Sequence, residues 1–470
     1  MITNKVILVG LVSTVVLAGC MSQTTTSSEQ PLSFLDDFPK SGTTLPYSVL
    51  RDDLVDGKTN ETFEVRNGGF GSAMTAHPTR SNQFYALTDR GPNANYTGDY
   101  GKGKTFPVAD YTPRIGLFEV ADDGQVSLVK QILLHRPDGT LISGLPNSSA
   151  LGGTGETPYH ANGMPVLMDD SQPYNQQSNP IKLDDYGLDG EGLVALKDGS
   201  FWISDEYGPH IVHYDANGIE IGRINAFQAD ARNTHYLPAV FQHRRANRGM
   251  EGLAITPDET TLVGIMQSTM KNPDKAAQKG NLTRIVTVNL KTGDTEQYLY
   301  RQEKNENSNS EIAALTQDQF LVIERDGSFL LGGPKKANPN AQKHVYRIDL
   351  STGTPLSQVA LSDSVKRDPN HGLMIEGLTL EQYAQQNGWS ALAQYGIQPV
   401  SKSLVVDMVK EVSYPHDKME GLWVIDHHHL GVLNDDDFAT WSTNGQLEQK
   451  YLSTDQVDAN QLYIIKADLL

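Results

Sequence analysis

The sequence predicts an all-β fold, a β-propeller of six blades with seven as the alternative, carrying loop and short helical insertions. One motif, an acid followed by Gly-Leu at the head of an apolar run, recurs as "DGEGLVAL", "GMEGLAIT" and "KMEGLWVI". Short runs rich in Val, Ile, Tyr, Phe and Trp follow each copy, separated by Gly, Asp and Pro turns, as in a meander of antiparallel strands. A repeated meander is typical of propeller blades.

The N-terminus predicts export. Lys5 precedes an apolar core at residues 6–16, which ends in Leu-Ala-Gly-Cys at residues 17–20, the pattern of a signal peptide closing on a lipobox. We expect residues 1–19 to be removed and Cys20, the single cysteine, to be lipidated. A transmembrane anchor is the alternative, but it needs roughly 20 apolar residues. Residues 20–34 then form a flexible tether and residues 35–470 one propeller domain.

The charge of the chain limits its partners. It has 38 basic and 57 acidic residues and a formal charge of −19, so neither nucleic acid nor an anionic membrane surface would attract it. We expect a monomer in the cell envelope, held at the outer membrane by its lipid alone and facing the periplasm or the cell surface. Divalent cations and a small phosphorylated substrate are the partners we expect.

Repetition continues along the chain. Glu191, Glu251 and Glu311 recur at sixty-residue intervals at the heads of similar three-strand segments, and residues 68–124 and 418–469 each predict three strands. Two regions break the pattern and predict insertions: residues 141–185 are rich in Gly, Ser, Asn and Pro, and residues 380–396 have helical spacing.

The recurring glutamates predict a site on the axis. In a propeller the first strand of each blade lines the central channel, and the motif glycines would let neighbouring backbones approach there. Glu191, Glu251, Glu311 and Glu420, with Glu376 as a further candidate, would then form a ring of carboxylates. Like charges in such a place take up protons or hold cations, and Ca²⁺ is the first candidate, another divalent cation the second.

A second tier of acids stands at the ends of the following strands, beside arginines. Taken singly, each acid is explained equally well as a turn residue, and each arginine as the partner of an internal salt bridge. Together they predict a site where arginines and a metal hold phosphate. The predicted substrate-binding residues are Arg90, Arg114, Arg248 and Arg325.

Other catalytic signatures are missing from the sequence. It has no G-x-S-x-G elbow, no Gly-rich phosphate loop ending in Lys-Ser/Thr and no H-E-x-x-H motif. Since lipidation would consume Cys20, a hydrolase built on this chain would use water as its nucleophile.

Six stretches resemble the phytase-like family named for an "esterase-like activity of phytase". They are "LTDRGPN", "PRIGLFEV", "DGEGLVALKDGSFWISDEYGP", "NRGMEGLAITPD", "EIAALTQDQFLVIERDG" and "KMEGLWVIDHHHLGVLNDDDF", and they extend from Gly68 to Phe438. The resemblance implies a propeller related to the β-propeller phytases, with acids that act on phosphoesters. Asp436 stands where relatives are expected to have asparagine, which leaves the ligand set open.

These inferences give residue roles. The predicted metal ligands are Asp89, Asp189, Glu191, Glu206, Glu251, Glu311, Glu420 and Asp435. The predicted catalytic residues are Glu191, Glu251, Asp205 and Glu324. The leading hypothesis is a metal-dependent phosphoesterase of the cell envelope. A non-catalytic binding or scaffold propeller with structural Ca²⁺ and a lactonase-like hydrolase are the alternatives.

Overall fold

Short strands, mostly antiparallel, are the main secondary structure in the computed structural model, which describes Met1, residues 32–453 and residues 455–470. Residues 2–19 of the predicted signal peptide, Cys20 and residues 21–31 of the tether lie outside the described residues. Helices are short, and none in the described part of the chain is long and apolar enough to cross a membrane. The prediction of an all-β fold is confirmed.

Five sheets, each containing a four-stranded antiparallel meander, hold the repeated segments of the described chain, and one of them has a fifth strand, Asn233–Tyr236, paired in parallel at its outer edge. We number them as blades 1 to 5. From the innermost strand outwards, blade 1 is Ala73–Ala76, Gln83–Leu87, Arg114–Val120 and Val126–Leu133; blade 2 is Gly190–Ala195, Phe201–Asp205, His210–Tyr214 and Glu220–Asn225; blade 3 is Met250–Ile255, Thr261–Met266, Leu282–Asn289 and Thr295–Arg301; blade 4 is Ser308–Ala314, Gln319–Arg325, Lys343–Asp349 and Ser401–Asp407; blade 5 is Gly421–Val424, His429–Leu433, Gln461–Lys466 and Thr43–Thr44.

The innermost strands stand side by side in a closed ring, so that blade 5 contacts blade 1. The outermost strand of blade 5, Thr43–Thr44, precedes blade 1 in the chain and pairs with Gln461–Lys466, which ties the beginning of the propeller to its end. The β-propeller prediction is confirmed, whereas the prediction of six blades is wrong, because the described residues form five. The chain length that suggested a sixth blade lies in insertions.

The insertions fall largely where they were predicted. Residues 141–185 contain the 3-10 turn Ser149–Leu151 and the strand Thr157–Tyr159, which pairs with the hairpin Ala94–Gly98 and Gly101–Thr105. Residues 380–396 contain the helices Leu380–Asn387 and Trp389–Gln394. The remaining elements are the helices Phe34–Asp37 and Met408–Val412, the 3-10 turns Ala239–His243, Ala277–Lys279, Leu350–Thr352, Leu356–Gln358 and Asp437–Ala439, and the strands Ser48–Val55, Thr62–Asn67, Asn233–Tyr236, Val365–Asp368, Gly372–Ile375, Leu378–Thr379, Thr440–Thr443, Gln446–Gln449, Tyr451–Ser453 and Gln456–Val457.

Apolar side chains fill the gaps between neighbouring blades. Between blades 5 and 1 the ring of Trp423 packs on that of Phe84, with centroids 5.1 Å apart. Between blades 3 and 4, Ile285, Ile312 and Val322 are buried in one cluster. Full burial of such a side chain stabilises the fold by about 1.5–3 kcal/mol. The interfaces therefore hold the ring together and fix the positions of the inner strands.

At one level of the inner strands, the positions that carry glycine leave no space for a Cβ. A Cβ added to Gly252 would lie 2.6 Å from the backbone N of Ile312 in blade 4. One added to Gly192 would lie 2.5 Å from the backbone N of Leu253 in blade 3. Both distances are shorter than Cβ contacts in folded proteins. The close approach of neighbouring backbones therefore requires the motif glycines, as the sequence predicted.

We expect Gly252→Ala to destabilise the protein, because the added methyl group must push two inner strands apart. Overpacking of this kind costs about 1–3 kcal/mol, which chemical denaturation would measure as a lower free energy of unfolding. Gly327→Ala is the matched control, since a Cβ there meets no atom within 4 Å. Equal free energies of unfolding of the two variants would contradict the conclusion that the inner strands leave no space for a Cβ at Gly252.

Candidate functional site

Buried carboxylates from four blades converge on one end of the channel, near the start of the first strands and the end of the second. The charges of Glu251, Asp189, Glu206 and Glu420 act on Glu191 across this space. The structure thus brings together seven of the eight predicted metal ligands. We call this group the acidic mouth; it consists of Asp89, Asp189, Glu191, Glu206, Glu251, Glu420 and Asp435.

Three of these glutamates share one register position. Glu191 and Glu251 lie at irregularities in the pairing of blades 2 and 3, each one residue before a glycine at the axis. Glu420 precedes Gly421 of blade 5 in the same way. In blade 4 the equivalent residue is Ser310. Such an irregularity is a β-bulge, which turns a side chain away from its regular position in the sheet. Here the residues at the bulges of blades 2 and 3 are carboxylates of the mouth.

Glu311 lies one register position later, at the level of the axial glycines such as Gly252. Its Oε1 accepts hydrogen bonds from the backbone N of Ile312 at 2.9 Å and of Leu253 at 3.3 Å. Its Oε2 is buried and has no hydrogen-bond partner among the described residues. The structure therefore places Glu311 inside the channel as a plug, and not with the other predicted metal ligands.

Asp189, Glu191 and Glu206 are arranged so that they could share a cation. One carboxylate oxygen of each lies within 4.8 Å of the other two. Gln267 connects this triad to Glu251, because its Nε2 donates to Glu206 Oε1 at 3.2 Å and to Glu251 Oε1 at 2.5 Å. Glu251 Oε2 is buried without a hydrogen-bond partner in the described chain. An all-oxygen donor set suits a hard cation such as Ca²⁺.

Burial and mutual repulsion raise the pKa of the mouth carboxyl groups. Burial, followed by the charge of Glu251, holds the pKa of Glu191 well above its ordinary value. Burial and the charge of Asp189 raise the pKa of Glu206 to about 7. Burial also raises the pKa of Asp435 to about 7. Near neutral pH these groups therefore take up either protons or a cation.

Three cations already neutralise carboxylates of the mouth. They are Arg90, whose Nη2 lies 2.9 Å from Asp189 Oδ2; Arg325, paired with Glu420; and Lys418, whose Nζ lies 2.5 Å from Asp435 Oδ2. Arg248 is different, since it donates to Ser308 Oγ at 3.3 Å and forms no salt bridge within the described residues. Of the predicted substrate-binding arginines beside the mouth, Arg248 is thus the one without a carboxylate partner in the described chain, and its charge acts on Glu206.

Both predicted catalytic acids from the strand ends have other partners. Asp205 Oδ1 accepts a hydrogen bond from the backbone N of Asp189 at 2.8 Å, so it stabilises the backbone of a mouth residue. Glu324 Oε2 accepts from the hydroxyl of Tyr300 at 2.7 Å and lies 2.8 Å from Lys402 Nζ, between blades 3 and 4. The structure therefore places neither carboxylate in the mouth itself.

Three further residues singled out in the sequence also lie elsewhere. The guanidinium of Arg114 lies 4.6 Å above the ring of Tyr111 and is not paired with a mouth acid. Glu376 is exposed on a hairpin of the blade 4 insertion, where the hydroxyl of Tyr395 donates to it. Asp436 accepts from the backbone N of Phe438 at 3.0 Å and so stabilises its own turn.

Sequence reasoning missed several residues that shape the mouth. Gln267 follows the second strand of blade 3 where Glu206 follows that of blade 2, so an alignment of strand ends would have found it. Lys418 stands within the third copy of the motif itself. Glu156 and Asn247 contact Arg90. Glu156 belongs to no repeat and carried no signal, whereas Asn247 begins the stretch "NRGMEGLAITPD" and was passed over.

A family model described as "Esterase-like activity of phytase" matches residues 65–438. The chain belongs to the phytase-like family. The resemblance seen in the motifs is thereby confirmed, and membership indicates a hydrolase-type β-propeller.

This phytase-like protein is also similar to an uncharacterized secreted protein of Arthroderma benhamiae, with 25% identity over 368 residues, covering 66% of this chain and 67% of the relative. Among solved structures, the PQQ-bound aldose sugar dehydrogenase of Streptomyces coelicolor has 10% identity and a TM-score of 0.28 over 90% of this chain and 94% of that one. The β-propeller domain of Cps50 (Swd1) from Myceliophteria thermophila has 9% identity and a TM-score of 0.28, covering 80% and 68%. These structural likenesses carry no argument about activity.

We expect the stability of the cation-free protein to fall as the pH rises from 5 to 8. The folded pKa of Glu206, about 7, lies above its ordinary value of 4.5, so this group stabilises the fold fully below pH 4.5 and loses that contribution as the pH passes 7. Asp435 acts in the same direction. Each group contributes up to about 1.4 kcal/mol per pH unit.

Chemical denaturation in chelator at several pH values would measure this slope. Glu206→Gln should reduce the slope, because the amide does not titrate. Calcium at 100 times its dissociation constant should restore about 2.7 kcal/mol near pH 8. A flat profile in chelator would contradict the raised pKa values.

Glu311→Ala should lower the free energy of unfolding by about 1–3 kcal/mol, because it leaves buried backbone N–H groups without an acceptor. Glu311→Gln should cost less, since its amide oxygen can still accept them. Neither substitution should alter calcium affinity measured by calorimetry by more than about twofold. A loss of calcium binding in Glu311→Gln would instead show that Glu311 is a calcium ligand.

Proposed function

We propose that this protein is a metal-dependent phosphoesterase that releases phosphate from small phosphorylated metabolites. The convergence of Asp189, Glu191 and Glu206 within 4.8 Å carries the proposal. Phosphoryl transfer relies on a cation clamp and on positive side chains at the developing charge. The description of the family as esterase-like supports ester hydrolysis.

The cation would be held by Asp189, Glu191 and Glu206, with Glu251 beside them. Calcium is the first choice, because all donors are hard oxygens. When bound, a divalent cation polarises a phosphoryl oxygen and offsets the charge that develops on it. The buried, unpartnered Oε2 of Glu251 supports this fit, since an ionised oxygen in such a place is costly without a counter-ion.

Glu251 is suited to take the proton of the attacking water. Gln267 holds its Oε1, which leaves Oε2 directed to a ligand. Burial, and then the charge of Glu206, keeps the pKa of Glu251 well above its ordinary value, so it is a stronger base than an exposed carboxylate. In the proposed step the water oxygen bonds to phosphorus, its proton moves to Glu251, and the ester P–O bond breaks. The leaving oxygen takes a proton from solvent, and Glu251 then returns its proton to solvent.

The arginines divide into two roles. Arg90 and Arg325 each pair through Nη2 with a carboxylate of the mouth, which holds those acids in place and limits their repulsion. Arg248 is half-buried and contacts Ser308 through its Nη1. We assign to Arg248 the stabilisation of the phosphoryl oxygens, because guanidinium donors match the geometry of phosphate.

We further propose that the enzyme works in the cell envelope, tethered to the outer membrane through lipidated Cys20. The basis is the apolar core at residues 6–16 followed by Leu-Ala-Gly-Cys. A chain anchored in this way would keep its propeller clear of the bilayer on the tether of residues 20–34. Labelling with a radioactive fatty acid, lost in Cys20→Ser, would test it.

Purified protein should hydrolyse phosphomonoesters or diesters faster with calcium than with chelator. Glu251→Gln should lower kcat by about 10²–10⁴, the contribution typical of a general base. Glu376→Gln is the matched control, since it alters the same Glu-Gly-Leu motif at an exposed position. Its activity should equal that of the unaltered protein.

The alternatives give different outcomes in the same experiment. Calcium that raises thermal stability without turnover of any phosphoester would point to a non-catalytic binding propeller. Turnover of lactones in place of phosphoesters would assign the same acids to a lactonase. Either result would overturn the proposed function.

A further inference from the structure

One carboxylate beside the mouth comes from an insertion and not from a blade. Glu156 precedes the strand Thr157–Tyr159, and its Oε1 accepts a hydrogen bond from Asn247 Nδ2 at 2.7 Å. Its Oε2 lies 3.5 Å from Arg90 Nη1. The same Nη1 donates to Asn247 Oδ1 at 3.1 Å. Arg90 and Asn247 thus form a joined pair of donors around the Glu156 carboxylate.

A lysine on the neighbouring strand is a further cation near the Glu156 carboxylate. Lys104 lies in Gly101–Thr105, next to Pro158 in the parallel pairing with the strand that follows Glu156. The charges acting on its ammonium group are those of Arg90, Glu156, Asp189 and Lys418. Lys104 forms no salt bridge within residues 32–453 and 455–470, whereas Arg90 and Lys418 each pair with a mouth acid. Lys104 is therefore a cation near the mouth that forms no salt bridge in the described chain, although the charges of Glu156 and Asp189 act on it.

We propose that Arg90, Lys104 and Asn247 form a subsite for the phosphoryl group of the substrate, which Glu156 occupies in this structure as an internal competitor. The inference rests on the proposed function, which it extends by naming the anion-binding groups. Carboxylate and phosphate are both oxyanions, and guanidinium, ammonium and amide N–H groups donate to either. Phosphate carries more charge, so it would displace the carboxylate once bound calcium has neutralised the triad.

The residues around Glu156 allow its side chain to move out of the subsite. Gly152 and Gly155, just before it, have φ of +74° and +76°, and a Cβ at Gly155 would meet no atom within 4 Å. Glycine adopts other backbone conformations from there at little cost. A cavity of about 520 Å³ beside Glu156, lined also by Asn95, Tyr96 and Ser442, is large enough to receive the displaced side chain. Burial, and then the charge of Arg90, lowers the pKa of Lys104, which a bound phosphate would reverse.

The test is a calorimetric titration of the full-length protein with inorganic phosphate at a fixed excess of calcium. Glu156→Gln keeps an oxygen for Asn247 but removes the competing charge, so phosphate should bind about tenfold more tightly. Lys104→Met removes a donor, so phosphate should bind about tenfold more weakly. The matched controls are Asp169→Asn, exposed in the same insertion, and Lys130→Met, exposed on blade 1; neither should change the affinity.

The gain in phosphate affinity of Glu156→Gln is the decisive result, since a misfolded variant would not bind phosphate more tightly. Unchanged or weaker phosphate binding in that variant, or no phosphate binding by either it or the unaltered protein, would overturn the subsite. Opposite shifts in the two variants without turnover of any phosphoester would leave the subsite standing and refute the proposed function. Turnover by the unaltered protein with no shift in either variant would refute the subsite alone.

Discussion

The rest of the structure depends on how closely five inner strands approach one axis. At the level of Gly192 and Gly252 the neighbouring backbones leave no space for a Cβ, and in blade 5 a Cβ on Gly421 would lie 2.9 Å from that of Met74 in blade 1. The fourth blade supplies Glu311 at this level, and its carboxylate accepts backbone N–H groups from two blades. A ring of six blades would leave a wider hole that one side chain could not fill.

This narrow ring also concentrates charge. Seven carboxylates of the mouth face three cations that are paired with them, so four carboxylates remain. Two unit charges 4 Å apart interact by about 4 kcal/mol at an effective dielectric constant of 20. Burial is the larger cause of the raised pKa values of Glu191 and Glu251, and repulsion from neighbouring carboxylates is the next. A bound cation would relieve it more completely than protons do, because it also satisfies the unpartnered oxygen of Glu251.

Repetition in the sequence predicted the strands and most of the mouth, because each blade repeats the same strand ends. It did not predict the number of blades, since residue spacing does not distinguish a blade from an insertion such as residues 94–105. Glu311 shows a second limit. Glu311 stands sixty residues after Glu251, but the irregular pairing of blade 4 falls at Ser310, one residue earlier. Equal spacing in the chain therefore gave Glu251 and Glu311 different register positions in their sheets. Glu156 came from an insertion, where no repeat provided a comparison.

Glu311 also makes the two ends of the channel chemically different. Beyond it lies a cavity of about 220 Å³ lined by first-strand residues that follow the axial level, among them Leu193, Leu253, Ile312 and Leu422. These side chains offer no ligand to a cation, and the plug stands between them and the acids of the mouth. A substrate of the proposed phosphoesterase would therefore reach the acids from the end where the second strands finish, which is the end that Glu156 and its insertion border. Whatever covers that end would then control both the hydration of the carboxylates and the entry of a substrate.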